Sequence, residues 1–159
     1  LTCDTSSCER TEDGFLKTGD LVEIDQEGFL KILGRKKNVI ILSNARNVCP
    51  EWVESIYKGC PSIAEIVVIG EGMAFLTAIV LLSSSSVSQN HVRQEFARVG
   101  KALASYAKVK KVMIYPDMES FKTRYLTITG RPKRQILQQD FHSFDFESFE
   151  IDLIDSGVK

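Results

Sequence analysis

The order of apolar and polar positions divides the chain into short segments. Phe15 to Lys17, Leu21 to Ile24 and Phe29 to Leu33 alternate apolar and polar residues, the pattern of strands with one buried face. Asp25-Gln26-Glu27-Gly28, between the last two, is turn chemistry, so the spacing predicts a small β-hairpin. A polar knot, Gly34-Arg35-Lys36-Lys37-Asn38, precedes the apolar run Val39-Ile40-Ile41-Leu42, which has the length of a strand buried on both faces. The knot separates two structured units. Residues 1–13 are polar and aperiodic, and read as a loop or frayed end.

Beyond the knot, Pro50 suits a first helical position, and Trp52, Val53, Ile56 and Tyr57 keep helical spacing until Gly59 and Pro61 stop it. Residues 65–70 and 75–82 are β-rich runs that predict an antiparallel pair around Glu71-Gly72-Met73-Ala74. The Ser83–Ser86 tract reads as a connection that also supplies a helix N-cap. Val92, Phe96, Val99 and Leu103 then mark a longer amphipathic helix from Ser88 to about Tyr106. Residues 111–115 predict another strand, and Pro132 a third helix start, with Ile136, Leu137 and Phe141 on its apolar side. The sum is an α+β fold: a small mixed or antiparallel sheet with two to three packed helices, preceded by a short β-hairpin.

Composition narrows the classes. A length of 159 residues is one domain's worth, and 43% hydrophobic with 26% charged residues is that of an ordinary globular chain. Twenty basic residues against twenty-one acidic ones leave a net charge of -1, so no overall charge argues for nucleic acid or a membrane surface. The longest apolar run, Ala74 to Leu82, is interrupted by Thr77 and falls well short of the roughly 18 residues of a membrane span. Leu1 stands where a start Met would, and no leader precedes a cleavage site, so the chain reads as a piece of a longer one. Cys3, Cys8, Cys49 and Cys60 are too few and too irregular for a disulfide framework, and reduced thiols in the cytoplasm are the expectation. With only His91 and His142, neither a catalytic zinc site nor an internal Ser-His-Asp triad is expected.

Charge is uneven along the chain. From Lys101 to Arg134 nine residues are basic and two acidic, whereas from Asp140 to Lys159 six are acidic and one basic, so the basic stretch faces either phosphate or solvent. The tail's Phe141, Phe144, Phe146 and Phe149 fit either a last packed element or a free end.

Three constellations carry candidate chemistry. In Lys17-Thr18-Gly19-Asp20, a carboxylate held by a glycine turn can accept hydrogen bonds from two vicinal hydroxyls, as ribose offers; the alternative is an ordinary turn. Gly34-Arg35-Lys36-Lys37 places a permanent cation and two lysines after a flexible residue, or is an exposed basic turn. Leu126-Thr127-Ile128-Thr129-Gly130-Arg131-Pro132-Lys133-Arg134 is a glycine-containing loop opening a helix, where free backbone N–H groups and three cations suit an anion.

Together and in this order, these segments resemble the C-terminal part of the AMP-forming adenylating enzymes, which include acyl-CoA synthetases, luciferases and peptide-synthetase adenylation domains. The likeness rests on GFLKTGDLVEIDQEGFLKILGRKKNVIILSNARNVCPEWVE, residues 14–54, and LTITGRPKRQ, residues 126–135. It implies that Asp20 and Arg35 contact the ribose of ATP and that Lys37 is the hinge about which a small domain turns. It implies also that Ser43, Asn44 and Ala45, with Arg46 and Asn47, border the pantetheine channel of CoA. The implied domains are 1–34, the end of a large nucleotide-binding domain, and 35–159, a mobile lid with an acidic tail. Implied partners are the N-terminal domain of the same protein, ATP with Mg²⁺ whose ligands lie outside this chain, a carboxylic and by preference fatty acid, and a thiol.

Three positions depart from the family pattern. Ala45 replaces a usual glycine, Arg46 a common glutamate, and Arg131 the lysine of a Gly-Lys pair. Arg131 and Lys133 together are assigned the catalytic cation's place, since arginine keeps the charge but is bulkier and forked. The expected function is carboxylate activation to an acyl-adenylate and thioester formation with CoA, with this chain inactive by itself. The alternatives are transfer to a carrier-protein phosphopantetheine, release of the adenylate, or a non-catalytic interaction module derived from the fold.

Overall fold

The computed structural model describes residues 9–151. Cys3, Cys8 and the last eight residues of the acidic tail lie outside them. Strands β1 (Asp20–Ile24) and β2 (Leu30–Arg35) form the expected hairpin, closed by Asp25, whose carboxylate accepts from the Glu27 and Phe29 N–H groups at 3.0 and 2.9 Å. Val22 faces Ile32 and Ile24 faces Leu30 across this ladder, and all four are exposed, from 47% to 70%.

The apolar run after the knot is not a strand buried on both faces. β3 (Ile40–Ile41) is two residues long and pairs with β4 (Asn47–Val48), with Ile40 buried and Ile41 half exposed. Helix α1 (Pro50–Tyr57) follows, with Pro50 in its first turn as expected.

The core sheet has the order β5-β6-β7-β8, from β5 (Ile63–Ile69), β6 (Leu76–Leu82), β7 (Val109–Ile114) and β8 (Ser148–Glu150). β6 and β7 are parallel, joined across α2 (Gln89–Val99), and the other two pairs are antiparallel. Alternate residues point to opposite sides. Ile66, Val68, Ala78, Val80 and Val112 join the core with α1 and α2, while Val67, Ile69, Ile79, Leu81 and Met113 meet α3 (Met118–Tyr125) and α4 (Arg134–Asp140). Helices on both faces explain why β5 and β6 read as unbroken apolar runs.

Four helices form among the described residues, one more than the upper expectation. The addition is α3, capped by Asp117, which accepts from the Glu119 and Ser120 N–H groups. α2 is shorter than its spacing implied. It is capped by Ser88 rather than by the serine tract, and it ends at Gly100, where a Cβ would lie 3.0 Å from the Tyr57 hydroxyl. Leu103 still reaches the core, from a loop of tight turns. α4 begins at Arg134 because Pro132 is held in a bridge to Leu126. The aromatic tail packs as a last element: Tyr115 meets Phe144 and Phe146 edge-on at 6.0 and 4.8 Å, and Phe149 lies under the Arg93 guanidinium at 5.1 Å.

Tyr57 stacks on Phe96 at 4.4 Å, fully buried, and burial pushes its hydroxyl up to about 12. The folded value lies above the free tyrosine value of about 10. Its contribution is therefore complete below that value and is lost as pH rises through the folded one, a loss of about 2–3 kcal/mol. Urea unfolding followed across this alkaline range detects the loss, and Tyr57→Phe removes that part of it.

Candidate functional site

The ribose-binding candidates meet across the hairpin. Asp20 and Arg35 are register partners in β1 and β2, and the Arg35 Nε lies 2.7 Å from Asp20 Oδ1. Gly19, at φ +72°, accepts from the Lys36 N–H at 2.8 Å, and Arg35 Nη1 donates to the Thr18 carbonyl at 2.7 Å. These bonds fix both side chains at one strand end. Asp20 Oδ2 has no hydrogen-bond partner among the described residues, and the side chain is 23% exposed, so it can accept from a vicinal diol.

Lys37 is exposed in a single 3-10 turn, Lys36–Asn38, directly after β2. The following loop is tightly bonded. Leu42 N–H donates to the Arg46 carbonyl, Ala45 N–H to the Leu42 carbonyl, both at 2.9 Å, and Arg46 N–H to Asn44 Oδ1 at 3.1 Å. Ala45 sits at φ +60°, the one non-glycine with positive φ among the described residues. Since an alanine is strained there, Ala45→Gly should raise stability by about 0.5–1 kcal/mol, read from the urea midpoint at constant slope. Asn44 and Arg46 line a cavity of about 300 Å³ with Tyr106, Lys108 and Lys110, and the Arg46 guanidinium lies 5.5 Å over the Tyr106 ring. Ser43 and Ala45 are not part of that lining; Ser43 N–H instead ties the loop to the Met73 carbonyl at 2.9 Å.

Residues 126–132 form a finger. Thr127 N–H donates to the Arg131 carbonyl and Gly130 N–H to the Thr127 carbonyl, both at 2.8 Å, while Arg131 N–H is held by Thr127 Oγ1 at 3.0 Å. The N–H groups of Gly130, Arg131 and Lys133 are bonded within the finger and at its base, so these three are not free to meet an anion. Nor are the three cations equivalent. Arg131 is exposed near the tip, Lys133 is half-buried with Nζ directed at the Arg124 carbonyl at 3.3 Å, and Arg134 is withdrawn into the protein.

Arg134 forms a bidentate pair with Glu54, at 2.6 and 2.8 Å, and its Nη1 also donates to the Val68 carbonyl at 3.1 Å. Glu54 Oε1 accepts from the Val68 N–H at 2.7 Å, so the ion pair satisfies the outer edge of β5 as a neighbouring strand would. Burial pushes the Glu54 carboxyl up, opposed by Arg134 and by the Val68 amide. Asp140 anchors the other side of the finger, accepting from Arg124 Nε and the Tyr125 hydroxyl, each at 2.9 Å. Lys37, Lys133 and Arg134 line one groove of about 1060 Å³. Cys49 and Cys60 are free thiols pushed up by burial, first of all, and then by Glu51 and Glu95 respectively. That makes them poor nucleophiles.

The sequence model of the AMP-binding enzyme C-terminal domain matches residues 37–144, from the 3-10 turn to the aromatic tail. The chain belongs to this family. Among relatives of the AMP-binding C-terminal domain, the long-chain-fatty-acid–CoA ligase FadD15 of Mycobacterium tuberculosis is 28% identical over 161 aligned residues, covering 87% of this chain and 27% of the relative. Long-chain-fatty-acid–CoA ligase 1 of Cavia porcellus is 29% identical, over 93% of this chain and 24% of its own length. The chain therefore spans about a quarter of the length of these relatives. In structure it is similar to the A domain of carboxylic acid reductase from Segniliparus rugosus, solved with AMP and a co-purified carboxylic acid. There the TM-score is 0.70 at 23% identity, over 84% of this chain and 23% of that one, a likeness of fold.

Within this AMP-binding C-terminal domain, Arg131, Lys133 and the Ser43–Ala45 loop lie in the matched part, and Asp20 and Arg35 precede it. Sequence reasoning missed Glu54 and Glu51 as partners of Arg134. The available signal was a pair of acids at helical spacing directly after Pro50. Among the described residues no cluster of three His, Cys, Asp or Glu side chains could hold a metal ion. No helix among them is long and apolar enough to cross a membrane.

Proposed function

We propose that this chain is the C-terminal part of an ATP-dependent, AMP-forming ligase that activates a fatty acid and passes it to CoA in the cytoplasm. The observation that carries this reading is the Asp20–Arg35 pair, held at the edge of a domain of this family with one carboxylate oxygen open to a ribose hydroxyl. Residues 1–34 then end the large domain and 35–159 form the lid, turning at Lys37. The exposed Val22, Ile24, Leu30 and Ile32 face of the hairpin fits burial against that large domain, which also holds the acyl pocket.

In this reading a carboxylate oxygen attacks the α-phosphorus of ATP, the bond to the bridging oxygen of pyrophosphate breaks, and acyl-adenylate forms. Arg131 offsets the charge that grows on the α-phosphoryl oxygens. A thiolate then attacks the acyl carbon and AMP leaves. Ala45 and Arg46, beside the basic cavity, support a second reading in which the thiol is a carrier-protein phosphopantetheine.

The test uses the intact parent protein with ATP, Mg²⁺ and a panel of carboxylic acids. Acid-dependent pyrophosphate release with a CoA thioester is the expected result. Release without that thioester moves the acceptor to a carrier protein or to free adenylate, and no release with any acid overturns the ligase reading in favour of an interaction module.

A further inference from the structure

The 3-10 turn that carries Lys37 is wired to the root of the finger through one carboxylate. Asn38 Nδ2 donates to Glu51 Oε1 at 2.5 Å, and the same oxygen lies 3.9 Å from the Arg134 guanidinium. Arg134 in turn is locked to Glu54 and, one residue back, the Lys133 N–H is bonded to the Tyr125 carbonyl at 2.7 Å at the base of the finger. Glu51 Oε2 is buried with no hydrogen-bond partner among the described residues. Gly34 of β2 lies so close that a Cβ there would meet this oxygen at 2.6 Å. Glu51 thus stands where the hairpin, the 3-10 turn, α1 and the finger meet.

A buried carboxylate oxygen without a donor is unfavourable, and its retention asks for an arrangement that satisfies it. The donor at hand is the Arg134 guanidinium, which lies 3.9 Å from the other oxygen of the same carboxylate. If Asn38 releases Glu51, the carboxylate can close the gap to Arg134 and compete with Glu54 for the guanidinium.

We propose that Glu51 is a positioning residue that couples the Lys37–Asn38 turn to the finger bearing Arg131, by being held off Arg134 while Asn38 binds it and closing on Arg134 when Asn38 lets go. The functional meaning rests on reading Lys37 as the hinge and Arg131 as the working cation; the coupling itself does not.

The coupling is tested on the chain by nuclear magnetic resonance, following the Arg134 Nε–H signal and the hydrogen exchange of the Lys133 amide. Asn38→Ala, Glu51→Gln and the double variant are compared. Asn38→Ala is expected to shift the Arg134 signal and to change Lys133 exchange about 3-fold or more, and Glu51→Gln should abolish that response. If Asn38→Ala acts equally with and without the Glu51→Gln change, or has no effect at Arg134, the coupling is overturned.

A second measurement addresses function in the parent protein. Glu51→Gln should change the ratio of pyrophosphate release to thioester formation about 10-fold. An equal loss in both steps marks a merely structural residue and overturns the positioning role. Absence of acid-dependent pyrophosphate release from the unmodified parent instead defeats the ligase reading, and the resonance experiment then decides the coupling alone.

Discussion

Replacing Glu54 with alanine lowers the unfolding free energy by about 3 kcal/mol, because it removes the bidentate partner of the buried Arg134 guanidinium and leaves only Glu51, 3.9 Å away, as a counter-charge. The side chains are 7% and 16% exposed and meet through two bonds, so little solvent is at hand to compensate. The Val68 N–H loses its acceptor as well, which leaves the outer edge of β5 open. A loss of that size is a large part of the roughly 5–15 kcal/mol that holds a domain together. Urea unfolding of the variant measures it. The double variant Glu54→Leu with Arg134→Met is expected to be less destabilised than Glu54→Ala, since removing both charges leaves neither unpaired. If the double variant is the weaker of the two, the pair is not acting as a buried charge pair.

The second large effect concerns chemistry in the parent protein. If Arg131 acts in the proposed adenylation, Arg131→Ala should slow acid-dependent pyrophosphate release about 10²–10³-fold, the usual cost of removing one charge that stabilises a transition-state oxyanion. Lys133→Ala should cost much less, because Lys133 Nζ is directed at the Arg124 carbonyl at the end of α3 while Arg131 stands exposed near the finger tip. Arg131→Lys restores the charge and should recover most of the rate. Single-turnover measurements with saturating ATP separate these variants, and a larger loss at Lys133 would reverse the assignment.

Much of the fold was legible along the chain. The hairpin, α1 and the β5–β6 pair followed from period and turn residues alone, since each places several apolar side chains at regular spacing. α3 was not legible, because only Phe121 and Tyr125 of its eight residues are buried and no stripe emerges from two positions. β8 escaped for a similar reason: three residues, one of them buried, become a strand only because β7 offers an open edge. The extended run assigned to α2 stops at Val99, and Gly100–Ala102 continue it only as a 3-10 turn before Leu103.

The candidate site divides in the same way. Residue types and order were enough to bring Asp20, Arg35 and the finger cations forward, because a glycine turn, a hairpin register and a loop before a helix are local features. The division of labour among the cations was not local. Arg134 and Glu54 lie 80 residues apart, and their pairing exists only once α1 and α4 pack at the outer edge of β5. Local spacing and turn chemistry therefore decide which elements form and which charged groups are candidates. Tertiary packing decides which charges are neutralised, since burial and counter-charge depend on neighbours distant in the chain, and it is this packing that leaves Arg131 exposed and draws Arg134 inside.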